Sequence, residues 1–416
     1  MNLEKNNMMN KIKNMTLLFD REWFERIHLY KDVGMIPIYL HNLYGLKTHI
    51  VFYDNTSNRD LNNIEFGVNL IRLKKIFFKK NKYLNKYFSP MTFYLIKNSK
   101  KIDILMLFHM KNINYFYRFI YKILNPKGKV YLKLDMDFRS INWIYNNYEY
   151  YNKNKNILFL KNGFIEYLKI LRRSYRFKKW KKQLSRFDLV SCETKLICDQ
   201  LNKYLNIDKN INLTTIPNGF SRIGIENIKI RNFEEKENLI ITVGRIGSYQ
   251  KNNEMLLNIL KDINLKDWKV YFIGPIEDKF NIIIENFYKN NPLYKNKVIF
   301  YGPIINRNEL FDYYNRSKVF CLTSRWESYG LVLNEALYFG NYIISTNVGI
   351  ASEITKNGKI GSLIQEGDEN TFKNELSKII CGENNISKYY NEIKDHCYNN
   401  YLWENIVKDL YSKLLL

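Results

Sequence analysis

Only 7 prolines occur in 416 residues, so no proline-rich spacer separates folded parts of this chain. The five cysteines (Cys192, Cys198, Cys321, Cys381 and Cys397) form no C-x-x-C pair, and their number is odd. That pattern indicates neither a disulfide framework nor a zinc site, and the cysteines read as small core residues in a reducing compartment. No uninterrupted apolar run approaches the ~18 residues that cross a bilayer, and the opening MNLEKNNMMNKIKN lacks the apolar stretch of a signal peptide. The expectation is a cytoplasmic protein.

What the chain has is apolar mass and positive charge. A hydrophobic fraction of 46% with 16% aromatic residues lies far above disordered compositions, and the length suits two domains. The net charge is +24. Abundant Asn, Lys, Ile and Tyr look like the footprint of an AT-rich genome, which inflates lysine everywhere. It cannot explain the distribution: residues 218–416 hold 25 Lys+Arg against 24 Asp+Glu, and residues 1–217 hold 40 against 17. One half is basic for a reason of its own.

In the second half short apolar runs alternate with helical patterns: LIITVG, VYFIG, VIFYG, VFCLTS and YIIST, each followed by a helix. The first half does the same with TLLFD, HIVFYD, VNLIRL, DILMLFH, KVYLKLD and FDLVSC. Near-continuous apolar strands in a βα repeat predict parallel sheets covered on both faces. The stretch TTIPNGF (214–220) reads as the turn between two doubly wound domains. In such sheets ligands bind beyond the carboxyl ends of the strands, so the residues to question follow strands.

In VGRIGSYQKN, Arg245 and Lys251 follow a strand and precede a helix, which suits a diphosphate. In SRWESYGLVLNEAL, Glu327 sits in a loop, Tyr329 and Gly330 lie where a helix begins, and Glu335 lies inside that helix. Were the interval mostly helical, eight residues at ~1.5 Å would put the carboxylates up to ~12 Å apart, too far for a glycosidase pair. They are better placed to grip the two ends of one ligand, such as the sugar and ribose of a nucleotide sugar. Standing alone, the stretch reads by default as a helix-N-terminal glutamate favoured by the dipole and an exposed glutamate.

Together these features resemble the retaining glycosyltransferases of family 4. The E-x7-E element is Glu327 to Glu335 in S-x-x-E-x-Y/F-G surroundings; the G-R-x(5)-K element is Gly244, Arg245 and Lys251; VGIASEIT follows the next strand, and YLWENIVKDLYSKLL is similar to the family's terminal helix. The resemblance implies the GT-B fold: two facing Rossmann-like α/β domains, here 1–217 for the acceptor and 218–398 for the nucleotide sugar, with helix 399–416 crossing back to the first. It implies that Glu327 contacts the donor sugar, Glu335 the ribose, and Arg245 and Lys251 the diphosphate. Donor contacts also fall on Ser328, Tyr329, Gly330 and Leu331, with base recognition around Gly302 and Pro303. Gly34 stands where relatives commonly carry G-G. No cofactor and no metal is expected beyond the nucleotide-sugar donor itself.

Two further residues end strands in the first half, His109 and Asp135. Many relatives carry histidine near the position of Asp135, which leaves the acceptor chemistry open. His109 reads as either an acceptor-site group or a strand-end histidine. Asp135-Met136-Asp137 also spells D-x-D, a metal motif of another glycosyltransferase fold.

Residues 66–102 contain ten Lys/Arg and no acidic residue, including Lys74, Lys75, Lys79, Lys80 and Lys82 among Phe77, Phe78, Tyr83 and Phe88. In 172–187 a helical projection sets Phe177, Trp180 and Leu184 opposite Lys178, Lys179, Lys182 and Arg186. We read these as docking to an anionic membrane surface, which implies a glycan or lipid-linked acceptor at the inner face of the cell membrane. The alternatives are a nucleotide-sugar epimerase of the same architecture, which needs no acceptor, and a nucleic-acid-binding protein. The latter leaves Glu327, Glu335, Arg245 and Lys251 without a role, so no nucleic-acid partner is expected.

Overall fold

The apolar runs of the first half assemble into one sheet. The computed structural model describes residues 12–21, 23–55, 60–75, 87–137, 139, 141, 179–205 and 211–416. In it β1 (Asn14–Phe19), β2 (Lys47–Tyr53), β3 (Ile64–Glu65), β4 (Val68–Leu73), β5 (Ile104–Phe108), β6 (Lys129–Leu134), β7 (Leu189–Cys192) and β8 (Leu213–Thr215) pair in the order β3-β4-β2-β1-β5-β6-β7-β8. All pairs are parallel except β3 with β4. Every residue of β5 is buried, as a strand covered on both faces must be.

The helices show why the chain turns where it does. Ser89 accepts a hydrogen bond from the Thr92 amide and Pro90 follows at the first helical position, which starts the helix Pro90–Asn98. The helix Asn112–Leu124 buries Ile113, Tyr117 and Tyr121 on one face, worth roughly 1.5–3 kcal/mol for each large apolar side chain. Tyr121 keeps its hydroxyl satisfied by donating to the Ile102 carbonyl at 2.6 Å, so truncating it would lose both terms.

The second sheet runs β11-β10-β9-β12-β13-β14, all parallel, from β9 (Glu237–Val243), β10 (Lys269–Ile273), β11 (Val298–Gly302), β12 (Ser317–Leu322), β13 (Tyr342–Thr346) and β14 (Gly361–Ile364). This is the doubly wound order, which reverses between β9 and β12. In the first sheet the reversal falls between β1 and β5. β3, β8 and β14 are additions to the strands expected from the sequence.

The chain divides into residues 1–218 with 403–416, and residues 219–402. The last helix, Trp403–Leu415, therefore belongs to the first unit, where Tyr411 lies 4.0 Å from Tyr44 between ring centroids. The two crossings between units are side by side: Phe220 forms a parallel bridge with Leu402 and its amide donates to the Tyr401 carbonyl at 2.7 Å.

Of the basic helix expected at 172–187, residues 179–184 are helical, with Leu184 buried and Lys179 and Lys182 exposed. Phe177 and Lys178 lie outside the described residues, as do Phe77, Phe78, Lys79, Lys80, Lys82 and Tyr83.

Candidate functional site at the sheet switch point of the second unit

A parallel sheet whose order reverses leaves a crevice between the loops that follow its two central strands. Here those loops are 244–252 after β9 and 323–330 after β12. The backbone joins them: the Arg325 amide donates to the Gln250 carbonyl at 2.8 Å. Thr323 Oγ1 donates to the carbonyls of Lys251 and Asn252, and Arg325 Nη2 donates to Asn252 Oδ1 at 2.8 Å.

This seam brings the expected residues together. Lys251 Nζ lies 2.6 Å from Glu327 Oε1, with the two side chains 14% and 8% exposed. Ser324 Oγ donates to the same carboxylate oxygen at 2.6 Å. Arg245 Nη2 donates to Gln250 Oε1 at 2.8 Å, while Gln250 Nε2 reaches the Trp326 carbonyl at 3.0 Å and Glu327 Oε2 at 3.4 Å. One neutral amide therefore links the arginine to the glutamate. Gln250 was not among the residues expected from the sequence; its only signal was its place beside Lys251 in a loop after a strand.

Glu327 stands in a loop, and only the helix Leu331–Tyr338 is helical between it and Glu335, so the separation worked from a continuous helix does not apply. Gly330 caps that helix with φ 94°, and Leu331, half-buried, opens it. Ser328 is half-buried. Tyr329 packs its ring in the core at 2% exposure, and its carbonyl accepts from the Ile350 amide at 2.9 Å. Gly349 fits under this loop at φ 54°, where an added Cβ would lie 2.2 Å from the Tyr329 carbonyl oxygen. That steric limit gives the glycine in VGIASEIT its reason.

Glu335 accepts from the Tyr314 hydroxyl at 2.8 Å. Burial raises its pKa, and the Arg307 charge and the tyrosine hydrogen bond oppose that rise. Gly302 ends β11, its carbonyl accepting from the Gly274 amide at 2.8 Å, and Pro303 is exposed beyond it. Gly244 follows β9 directly, and a Cβ there would lie 3.1 Å from Lys251 Cε.

The first unit holds the remaining candidates. His109, after β5, adopts φ 63°, and its Nε2 is in close contact with Arg21 Nη2 from the loop after β1. Burial and the Arg21 charge lower its pKa to about 4, so the imidazole is neutral near pH 7. Asp135 is exposed after β6. Beneath it Lys133, fully buried, donates to the Ile216 carbonyl at 3.0 Å and lies 3.8 Å from Asp32. Among the described residues no group of three or more His, Cys, Asp or Glu is placed to hold a metal, Asp135 and Asp137 included. Gly34 is buried inside the helix Asp32–Tyr44, and a Cβ would meet Leu29 backbone at 2.3 Å, so close packing accounts for this glycine.

Residues 225–396 match the family described as glycosyl transferases group 1. That match lies within the second unit, which is similar to the group 1 glycosyl transferases. The chain is 29% identical over 233 residues to an uncharacterized 41.2 kDa protein in the cps region of Klebsiella pneumoniae, covering 53% of this chain and 60% of that protein. It is 29% identical over 198 residues to a Campylobacter jejuni α-1,4-N-acetyl-D-galactosaminyltransferase named for a PP-undecaprenol-linked glycan, covering 47% and 52%. The chain thus spans about half the length of these relatives. Anabaena HepE in complex with UDP superposes with TM-score 0.65 at 12% identity, over 97% of this chain and 99% of that one. The fold of this chain is GT-B.

Proposed function

We propose that this chain moves a sugar from a nucleotide-diphosphate sugar to a glycan or lipid-linked acceptor, with retention of configuration. The observation that carries this reading is the seam at the switch point. Two cations and a carboxylate converge there on the crevice where doubly wound sheets take nucleotides. Departure of a nucleoside diphosphate develops negative charge, and Arg245 and Lys251 offset it without reorganisation. Glu327 faces the sugar and Glu335, held by Tyr314, the ribose. The leaving phosphate takes the proton of the acceptor hydroxyl on the face it vacates, so no side-chain base is needed. HepE was solved with UDP, and the Campylobacter relative's name carries a polyprenyl-linked glycan, both in keeping with this chemistry.

The same proposal sets the enzyme at the cytoplasmic membrane face. No helix among the described residues is long and apolar enough to cross a membrane. Adjacent helices Pro90–Asn98 and Asn112–Leu124 turn Phe93, Ile96, Phe119 and Ile123 outward, each about half exposed, with Lys97 and Lys100 exposed beside them. Apolar wedges among cations suit an anionic lipid interface.

The test is a thermal-shift screen of nucleoside diphosphates and their sugars against wild type and Glu335→Ala. Binding at 100 times Kd adds about 2.7 kcal/mol. One nucleotide should shift the wild type selectively and the variant less. No shift with any of them, beside tight binding to single-stranded nucleic acid, would overturn the reading.

A further inference from the structure

The seam that gathers Lys251 and Glu327 leaves two aromatic rings on its outer side. Tyr249 is 73% exposed, two residues before Lys251, and its ring centroid lies 5.8 Å from that of Trp326, the residue before Glu327. Trp326 is half-buried, and the water-exposed Tyr249 ring, of a kind ordinarily mobile, is held. The Arg325 guanidinium sits 4.6 Å over the Tyr249 ring and is itself fixed to Asn252 Oδ1. The Trp326 carbonyl is tied to Gln250 Nε2, which also reaches Glu327. The guanidinium over the ring takes part of the cost of exposing it.

We propose that Tyr249 and Trp326 form a stacking platform for the apolar face of a pyranose ring at the rim of the site. A pyranose presents axial C–H groups on one face and hydroxyls around its edge. Two fixed rings inclined at 56° to each other offer aromatic faces to the first, and the neighbouring Glu327 carboxylate accepts from the second. Tyr and Trp suit this use because they offer large contact area with little rotamer entropy to lose. The platform rests on the reading of this chain as a sugar-nucleotide enzyme. The ring it holds belongs either to the donor or to the acceptor, and the two sources separate by experiment.

Wild type, Tyr249→Ala, Tyr249→Phe and Trp326→Ala are titrated calorimetrically with UDP, GDP, ADP and dTDP and with their hexose conjugates. In parallel, saturation-transfer NMR follows methyl α-glucopyranoside in the presence of whichever diphosphate binds. The diphosphate should bind all four proteins alike, which also shows them folded. If the donor ring stacks, the conjugate loses roughly tenfold in affinity in the two alanine variants, the upper end of an aromatic contact, and Tyr249→Phe retains it. If the acceptor ring stacks, conjugate affinity is unchanged and the saturation received by the glycoside's C–H protons falls in the alanine variants. Wild-type behaviour of both alanine variants in both arms overturns the platform while leaving the nucleotide reading standing. Absence of diphosphate binding in the wild type overturns both.

Discussion

Replacing Lys251 by methionine keeps most of the unbranched side chain and removes its charge. At 2.6 Å from Glu327 and an effective dielectric of ~20, the attraction lost is about 6 kcal/mol before desolvation is set against it. Removing one partner of a buried pair ordinarily costs 3–5 kcal/mol. Here Glu327 keeps hydrogen bonds from Ser324 and Gln250, so the folded state should lose about 2 kcal/mol. Lys251→Met combined with Glu327→Gln leaves no unpaired charge and should return to within about 1 kcal/mol of wild type. Turnover follows a different course. Loss of one preorganised cation facing a leaving group should lower it roughly a hundredfold or more, and the double variant should not recover it. Urea denaturation of the four proteins gives the coupling, and nucleoside-diphosphate release gives the rate. Additive stabilities would refute the pair as an energetic unit, and near-normal turnover of Lys251→Met would refute its role at the diphosphate.

Two further outcomes are expected. The protein should float with phosphatidylglycerol-containing vesicles and not with phosphatidylcholine alone, and Phe119→Asp with Ile123→Asp should lower that binding at least tenfold; equal binding to both vesicle types would remove the membrane surface. His109, lowered to about 4 by burial and by Arg21, takes up its proton in the unfolded chain first, because the ordinary value is 6.5. Its contribution to stability is thus complete above pH 6.5 and lost as pH falls toward 4. Discounted for its partial exposure, that loss is about 2 kcal/mol. His109→Gln should flatten this part of the pH profile relative to wild type, and an unchanged slope would contradict it.

The sheets were legible because parallel strands buried on both faces leave unbroken apolar runs, as in ILMLF of β5. β14 was not, since GSLI mixes glycine and serine into a four-residue strand, and β8 offers only LTT. In the site, Arg245, Lys251 and Glu327 were legible from charge after a strand. Gln250 was not, because a neutral amide declares its role only through the partners that the fold brings to it. The same holds for Tyr314, 21 residues before the glutamate it contacts. Gly34, singled out where relatives carry G-G, has a packing constraint that only the fold reveals: the Leu29 backbone is pressed against it.

The bridge between Phe220 and Leu402 makes the second unit an insertion whose two ends meet. The last helix of the first unit, with Trp403, Val407, Leu410, Tyr411 and Leu414 all buried, leaves the ribosome after the strands of both sheets. Maturation therefore runs against sequence order: the inserted unit has its whole chain available and can close, while the unit that began synthesis first waits for residues 403–416 to complete its core. Removal of residues 403–416 should consequently spoil the first unit's sheet, whose strands end at Thr215, and spare the sheet of the inserted unit, which is nearer in sequence.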